Sequence, residues 1–280
     1  MVLLRMVESQ GLQYLLLDEP SSAYRLLAGF TTRLGGVSPP PYSSLNVAFH
    51  VGDAEERVLE NRRRLAAALG VDRKCMVFAE QVHSNRLAIV DSQHCGMGSY
   101  ELASSVPGVD GLITSTAGVM LVLMFADCVP IILYSPELPV IAVVHAGWRG
   151  TASRVAAEAV MLIEKEFGVS PSSLRAILGP CIGPCCYEVS GEVANLVKSA
   201  SVSREGCGNS RRAQDAEKGV RVDLAAENMS QLLQAGIPGS NVERVEICTS
   251  CHTNLFFSHR AECGVTGRFA AFAYILPQGL

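Results

Sequence analysis

Three apolar runs, Met120–Phe125, 131–134 and 140–144, follow one another within a short stretch of the chain. They are continuous rather than alternating, the pattern of strands covered on both faces, so whatever fold forms must pack material on each side of them. The breaks between the first two runs include Asp127, Cys128 and Pro130. The most apolar part of the sequence therefore carries a carboxylate and a thiol. It also falls well short of the ~20 apolar residues that span a bilayer, so no membrane segment is expected.

Further strands are expected at Met76–Phe78, 87–90, Gly111–Thr114, 245–248 and Phe269–Ile275. Helices are expected from an Asp53 cap as far as Gly70, over 151–167, from Ser190, and from Asp223 to the Gly236-Ile237-Pro238 stop. Residues 31–53 read as a turn-rich loop, and 201–219, with almost no apolar side chain, as a surface loop. No repeat and no shift in composition divides the chain. Strands and helices mix without strict alternation, which gives a single α/β domain of the α+β type over 1–280, with mixed β-sheets flanked by helices.

Composition decides the class of partner. With 49% hydrophobic and 18% charged residues in 280, the chain has ample apolar surface for a core. A net charge of −4 argues against nucleic acid or an anionic membrane as the main partner, while leaving room for a local basic pocket. The N-terminal twenty residues lack a basic start, a long apolar run and a small-residue cleavage site, so a cytoplasmic location is expected. There the ten cysteines are free, buried or metal-bound more often than paired.

Two segments end an apolar strand on a reactive group: LVLMFADCVP presents Asp127 and Cys128, and VIAVVHAGWRG presents His145. Cys128 and His145 are 17 residues apart, enough for a strand, a turn and a returning strand, so they can meet at one sheet edge. His83, in FAEQVHS, follows another short strand. One Cys with two His is a zinc ligand set whose fourth position stays open. Spacing alone equally admits a metal-free Cys128–His145 nucleophile pair, or unconnected core residues. After His145 the chain turns through Gly147 and Gly150 towards a helix, and Arg149 stands at that turn as an anion partner, although the GxxxxGK[ST] phosphate loop is absent. The haem-like pattern Cys248-Thr-Ser-Cys251-His252 lacks the context of an exported protein. Cys181, Cys185 and Cys186 have no second CxxC of zinc-ribbon spacing, so these thiols are expected to be buried or incidental. The H-x-E and P-C-x-x-C pair of zinc deaminases is missing.

The phrases TTRLGGVSPPPYSSLN, EQVHS, GVDGLIT, ADCVPIILY, VHAGWRGT, LGPCIGP and FFSHR with TGRFAAF occur in one order from about Thr31 to Ile275. Together they resemble the laccase-domain family, also called multicopper polyphenol oxidase-like or purine nucleoside phosphorylase proteins. The resemblance implies a cytoplasmic enzyme with one metal, usually zinc and alternatively copper, held by His83, Cys128 and His145. It implies phosphorolysis of adenosine, inosine and methylthioadenosine with inorganic phosphate, an adenosine deaminase activity, and the earlier description as a copper-dependent phenol oxidase. Arg149 is the first candidate for phosphate, joined by Arg33 and Arg268 in glycine-rich turns, with Asn46 as a hydroxyl-binding group. Asp127 and Asp110 are candidates to orient a histidine or carry a proton. The chain departs from the family pattern in Cys181, Cys185, Cys186 and the Cys251-His252 pair. Only six histidines are present, few for a multicopper oxidase. Nothing in the sequence fixes an oligomeric state.

Overall fold

The computed structural model describes residues 3–18, 23–200 and 219–277. The loop expected at 201–219 lies, except for Gly219, outside the described residues. In chain order the elements are β1 (Leu3–Ser9), β2 (Leu12–Asp18), β3 (Leu26–Thr31), α1 (Glu55–Leu69), β4 (Met76–Phe78), β5 (Leu87–Ile89), β6 (Gly111–Thr114), β7 (Met120–Phe125), β8 (Val129–Tyr134) and β9 (Ile141–Ala146). They continue with α2 (Trp148–Ala152), α3 (Val155–Phe167), β10 (Arg175–Leu178), β11 (Glu188–Val189), α4 (Gly191–Ser199), β12 (Val220–Arg221), α5 (Leu224–Gln234), β13 (Val242–Arg244) and β14 (Phe269–Ile275).

Two mixed sheets carry the fold, ordered β1-β2-β3-β14-β7-β4 and β13-β10-β8-β9-β6-β5. The edge pairs β4–β7, β5–β6 and β10–β13 are parallel and the rest of both sheets is antiparallel. The sheets stack face to face. Along β7, Leu121, Leu123 and Phe125 enter the core shared with Ile132 and Val143 of the other sheet, while Met120 and Val122 face Leu65 and Leu69 of α1. On the far side, Ile131, Leu133, Ala142 and Val144 pack on Val160 and Ile163 of α3 and on Leu232 of α5. Every residue of β7, β8 and β9 is buried, as their continuous apolar runs require. The result is four layers, helix, sheet, sheet and helices, which meets the mixed-sheet expectation.

Several local expectations are corrected. The helix expected over 151–167 is two helices, because Arg154 takes φ +62° and breaks the ladder after α2. Asp53 is not the cap of α1: Ala54 holds that position, and the Asp53 carboxylate accepts from Ser38 at 2.5 Å and Asn46 at 3.0 Å. Ser190 and Asp223 do cap their helices, accepting from Val193 and Ala226. The strand expected at 245–248 lies earlier, at Val242–Arg244, and the later stretch makes a lone bridge from Cys248 to Cys181. Strands β1 to β3 and β10 to β12 were not expected at all.

The chain passes between the sheets twice in ways that matter for function. From β7 to β8 it crosses through Ala126, Asp127 and Cys128, and from β4 to β5 it crosses through the loop that carries His83.

Candidate active site

Those two crossings and the end of β9 converge. In the β8–β9 register Pro130 lies opposite His145 and Val129 opposite Ala146, so the residue just before β8, Cys128, arrives beside the histidine. The ligand atoms of His83, Cys128 and His145 all lie within 4.8 Å of one another. The rings of His83 and His145 meet edge to face, 4.9 Å between centroids. Burial is graded: His145 is buried, Cys128 half-buried and His83 exposed. The group therefore has a protein side and an open side. A side chain at Gly147 would bring its Cβ to 3.0 Å from both the Cys128 sulfur and the His83 ring, so the glycine keeps this space clear.

Backbone conformation is costly here. His83 (φ +60°) and Asp127 (φ +83°) are both non-glycine residues in the left-handed region. Such positions cost on the order of 1–3 kcal/mol and persist where surrounding contacts enforce them. Asp110 enforces the first: its carboxylate accepts from the N–H of His83 at 2.9 Å, the N–H of Ser84 at 2.6 Å and the Ser84 hydroxyl at 2.8 Å. The same carboxylate meets Nδ1 of His145 at 2.9 Å, which leaves Nε2 for the site. Asp127 is enforced by Thr249, whose hydroxyl donates at 2.6 Å, and by the N–H of Arg260 at 2.7 Å. Of the two aspartates considered as histidine orienters, Asp110 does that work. Asp127 fastens a distant loop instead.

Electrostatics prepare the triad for a cation. Burial pushes the Cys128 thiol up, but the charge and hydrogen bonds of His145 and His83 outweigh it and hold the thiol at about 6. Burial likewise opposes charge on His145, yet Cys128 and Asp110 lift it to about 9. Without an ion the pair is thus a thiolate and an imidazolium. For Asp110, burial raises and the bonds from His145 and Ser84 lower, with a net value of about 2, so it stays ionised. Two imidazoles, one thiolate and a carboxylate behind one imidazole are a donor set that fits zinc with a fourth position free.

A cavity of about 520 Å³ opens over the triad. Arg149, Arg260 and Arg268 line it, with Trp148, Tyr187, His259, His50 and Gln81. The Arg149 guanidinium carbon lies over the Trp148 ring, 4.3 Å from its centroid, a cation–π contact. Arg268 bonds the carbonyls of Thr266 and Gly267 at 2.9 Å. Burial, with Arg268 and Arg62 nearby, drives His50 down to about 4 and keeps it neutral. Burial pushes the Tyr187 hydroxyl up to about 12, so it remains a donor.

Of the candidates read from sequence, His83, Cys128, His145, Asp127, Arg149 and Arg268 border this cavity. Arg33 and Asn46 do not. Arg33 bonds the carbonyls of Ser43 and Thr253 and pairs with Glu262 at 3.0 Å, and buried Asn46 accepts from the N–H of Arg268 at 3.0 Å. Both hold loops behind the wall. The α2 helix, five residues long, is too short to offer an anion site of its own, so anion binding falls to the guanidinium groups. His50, Tyr187, His259 and Arg260 were not assigned a role from sequence. His259 and Arg260 lie inside the FFSHR phrase, which was the available signal.

The model of the multi-copper polyphenol oxidoreductase laccase family matches residues 27–276. The chain belongs to that family. Among laccase-family relatives, the purine nucleoside phosphorylase YlmD of Geobacillus stearothermophilus is 43% identical over 246 residues, covering 88% of this chain and 89% of that one. A protein called adenosine deaminase RL5, from an unknown prokaryotic organism, is 35% identical over 245 residues, covering 87% and 92%. The crystal structure of the Geobacillus YlmD superposes with a TM-score of 0.90 at 39% identity, covering 99% and 100% of the two chains. Laccase-family membership, expected from the sequence phrases, is therefore established, and so is the fold. No helix among the described residues is long and apolar enough to cross a membrane.

Proposed function

We propose that this protein is a purine nucleoside phosphorylase that carries zinc on His83, Cys128 and His145. The observation that carries the reading is the meeting of that triad with Arg149, Arg260 and Arg268 in one cavity large enough for a nucleoside and an anion together. The relatives named purine nucleoside phosphorylase support it.

Phosphorolysis joins an oxygen of inorganic phosphate to C1′ of the ribose and breaks the bond from C1′ to the purine nitrogen. The purine leaves with that electron pair and takes a proton. Phosphate held among guanidinium groups keeps its charge near the ribose, where positive charge develops as the bond breaks. Of the three arginines, Arg149 is the best presented, because the Trp148 ring holds it while Arg260 and Arg268 donate to backbone carbonyls. The Tyr187 hydroxyl donates to the purine or the sugar, and His259 at the rim passes a proton to the departing base. Zinc, when bound, supplies Lewis acidity to a substrate oxygen or nitrogen. Asp110 fixes the ring of His145 towards the site throughout.

Deamination of adenosine is a second activity that the same cavity supports, motivated by the relative named adenosine deaminase. Copper oxidation of phenols is less well supported. Among the described residues, the other group able to hold an ion consists of cysteines only, whereas multicopper oxygen reduction needs many imidazoles. Purified protein incubated with inosine and phosphate is expected to release hypoxanthine and ribose 1-phosphate, and no hypoxanthine when phosphate is omitted. Absence of a phosphate-dependent product would refute the reading, and conversion of adenosine to inosine without phosphate would establish the second activity.

A further inference from the structure

On the far side of the Asp127 loop, four cysteines from two distant stretches of chain meet. Cys185 and Cys186 sit on the turn after Gly183, where the N–H groups of Cys186 and Tyr187 both return to the Gly183 carbonyl. Cys248 and Cys251 sit on a second turn, where the N–H groups of Cys251 and His252 return to the Cys248 carbonyl. The Cys251 sulfur is 3.4 Å from that of Cys186 and 3.6 Å from that of Cys185, and all four sulfurs lie within 4.8 Å of one another. None of the four is in a disulfide.

We propose that Cys185, Cys186, Cys248 and Cys251 form a second metal site, a closed tetrathiolate that binds one zinc ion and staples the rim of the cavity. Four thiolates at the usual zinc–sulfur bond length of ~2.3 Å in a tetrahedron stand about 3.8 Å apart, and the contacts of 3.4 and 3.6 Å made by the Cys251 sulfur lie close to that value. An all-sulfur set selects a soft divalent cation and leaves no position for substrate, so the site is structural rather than catalytic. Its surroundings are built for thiolate: the Gly183 N–H donates to the Cys248 sulfur at 3.2 Å, as backbone amides do around sulfur ligands. A Cβ at Gly183 would lie 3.3 Å from the Cys185 sulfur, so the turn packs closely under the cluster. Binding releases the thiol protons and the ion takes their place.

The position explains what such an ion would hold. The first turn leads directly into Tyr187 and Glu188, and the second leads through the loop to His259 and Arg260, all four on the cavity wall. Arg260 already reaches across from one to the other, donating to the Glu188 carbonyl at 2.9 Å and the Cys186 carbonyl at 3.3 Å. A tetrathiolate site closes a loop of about 60 residues at the same place, fixing both walls without entering the cavity.

The test is a metal count on protein purified under reducing conditions without chelator, and it needs no activity. Wild-type protein is expected to carry two zinc ions per chain, Cys251→Ser one, Cys128→Ala one, and the double variant none. Cys251 is exposed, so the serine variant keeps its packing. Cobalt-loaded Cys128→Ala is expected to show intense sulfur-to-cobalt charge-transfer absorption that Cys251→Ser removes. A single ion in wild type that Cys251→Ser leaves unchanged would overturn the proposal, as would a disulfide among these four cysteines in freshly reduced and re-equilibrated protein. Because nucleoside turnover is not read, failure of this site and failure of the phosphorylase reading remain distinguishable.

Discussion

The floor of the cavity, where two crossings between the sheets meet the end of β9, and its rim of loops and α2 are secured by different buried aspartates. Asp110 bonds residues adjacent to the ligands and one ligand itself, so its influence is local and falls on His83 and His145. Asp127 reaches residues 122 and 133 positions further along the chain, Thr249 and Arg260, and so ties the rim to the crossing that carries Cys128. The floor rests on β7, β8 and β9, in which every residue is buried. The rim rests on a few long-range side-chain bonds and on the cysteine cluster. Chemistry that depends on donor geometry belongs on the first, and recognition of the substrate's outer parts belongs on the second.

If the floor acts as a unit, its variants should lose chemistry outright while the rim survives. Cys128→Ala has the largest expected effect: the triad's ion is lost, phosphate-dependent hypoxanthine release falls to background, and the midpoint of thermal unfolding drops by the stabilisation the ion supplied. Retained turnover would break the division between floor and rim. Asp110→Asn follows. It leaves His145 without a carboxylate partner, and a lost partner of this kind lowers metal affinity or activity by about 10–100-fold. Competition with a chromophoric chelator measures it, and an unchanged affinity would show that the ring needs no such support. Stripping the ion should also expose the Cys128 thiolate. With the thiol held at about 6, alkylation of stripped protein should rise through that pH and level off above it, whereas Cys181, pushed up to about 12 by burial, should stay unreacted. Protection of Cys128 in the loaded protein separates a ligand from a free nucleophile.

The same division describes how much could be read in advance. The strands of the floor were visible as apolar runs because burial on both faces leaves no polar alternation, and Cys128 and His145 stood out because each ended such a run. His83 was legible only as a histidine after a short strand. Its convergence depends on the β4–β5 crossing between sheets, which no local pattern encodes. The rim was nearly illegible. Tyr187, His259 and Arg260 sit on irregular chain, where neither period applies, and Arg33 and Asn46 looked like site residues because glycine-rich turns and serine-rich loops hold both structural and functional polar groups. The cysteine cluster was discounted for lack of zinc-ribbon spacing, since its two pairs are brought together by tertiary structure rather than by sequence distance.

At the rim the expected effects are smaller and fall on binding. Arg149→Ala removes one charge-assisted contact to phosphate, about 1.5–3 kcal/mol. The KM for phosphate should therefore rise by about tenfold or more, with the triad's ion content unchanged. A fall in kcat alone would place Arg149 with the floor instead.

Thr249→Val is the finest cut between the two regions. The substitution keeps the shape of a fully buried side chain and deletes only the hydroxyl that donates to Asp127. Asp127 then retains the Arg260 N–H but has one buried carboxylate oxygen without a donor, a loss on the order of 1–2 kcal/mol. In a chain of this length that lowers the midpoint of thermal unfolding by a few degrees. Since Arg260 is bonded to the other oxygen of the same carboxylate, the loosening should spread to the rim, raising KM for the nucleoside by a few-fold while kcat and triad ion content stay within error. Should kcat fall as far as KM rises, strain at Asp127 is being transmitted to Cys128, and floor and rim are a single mechanical unit.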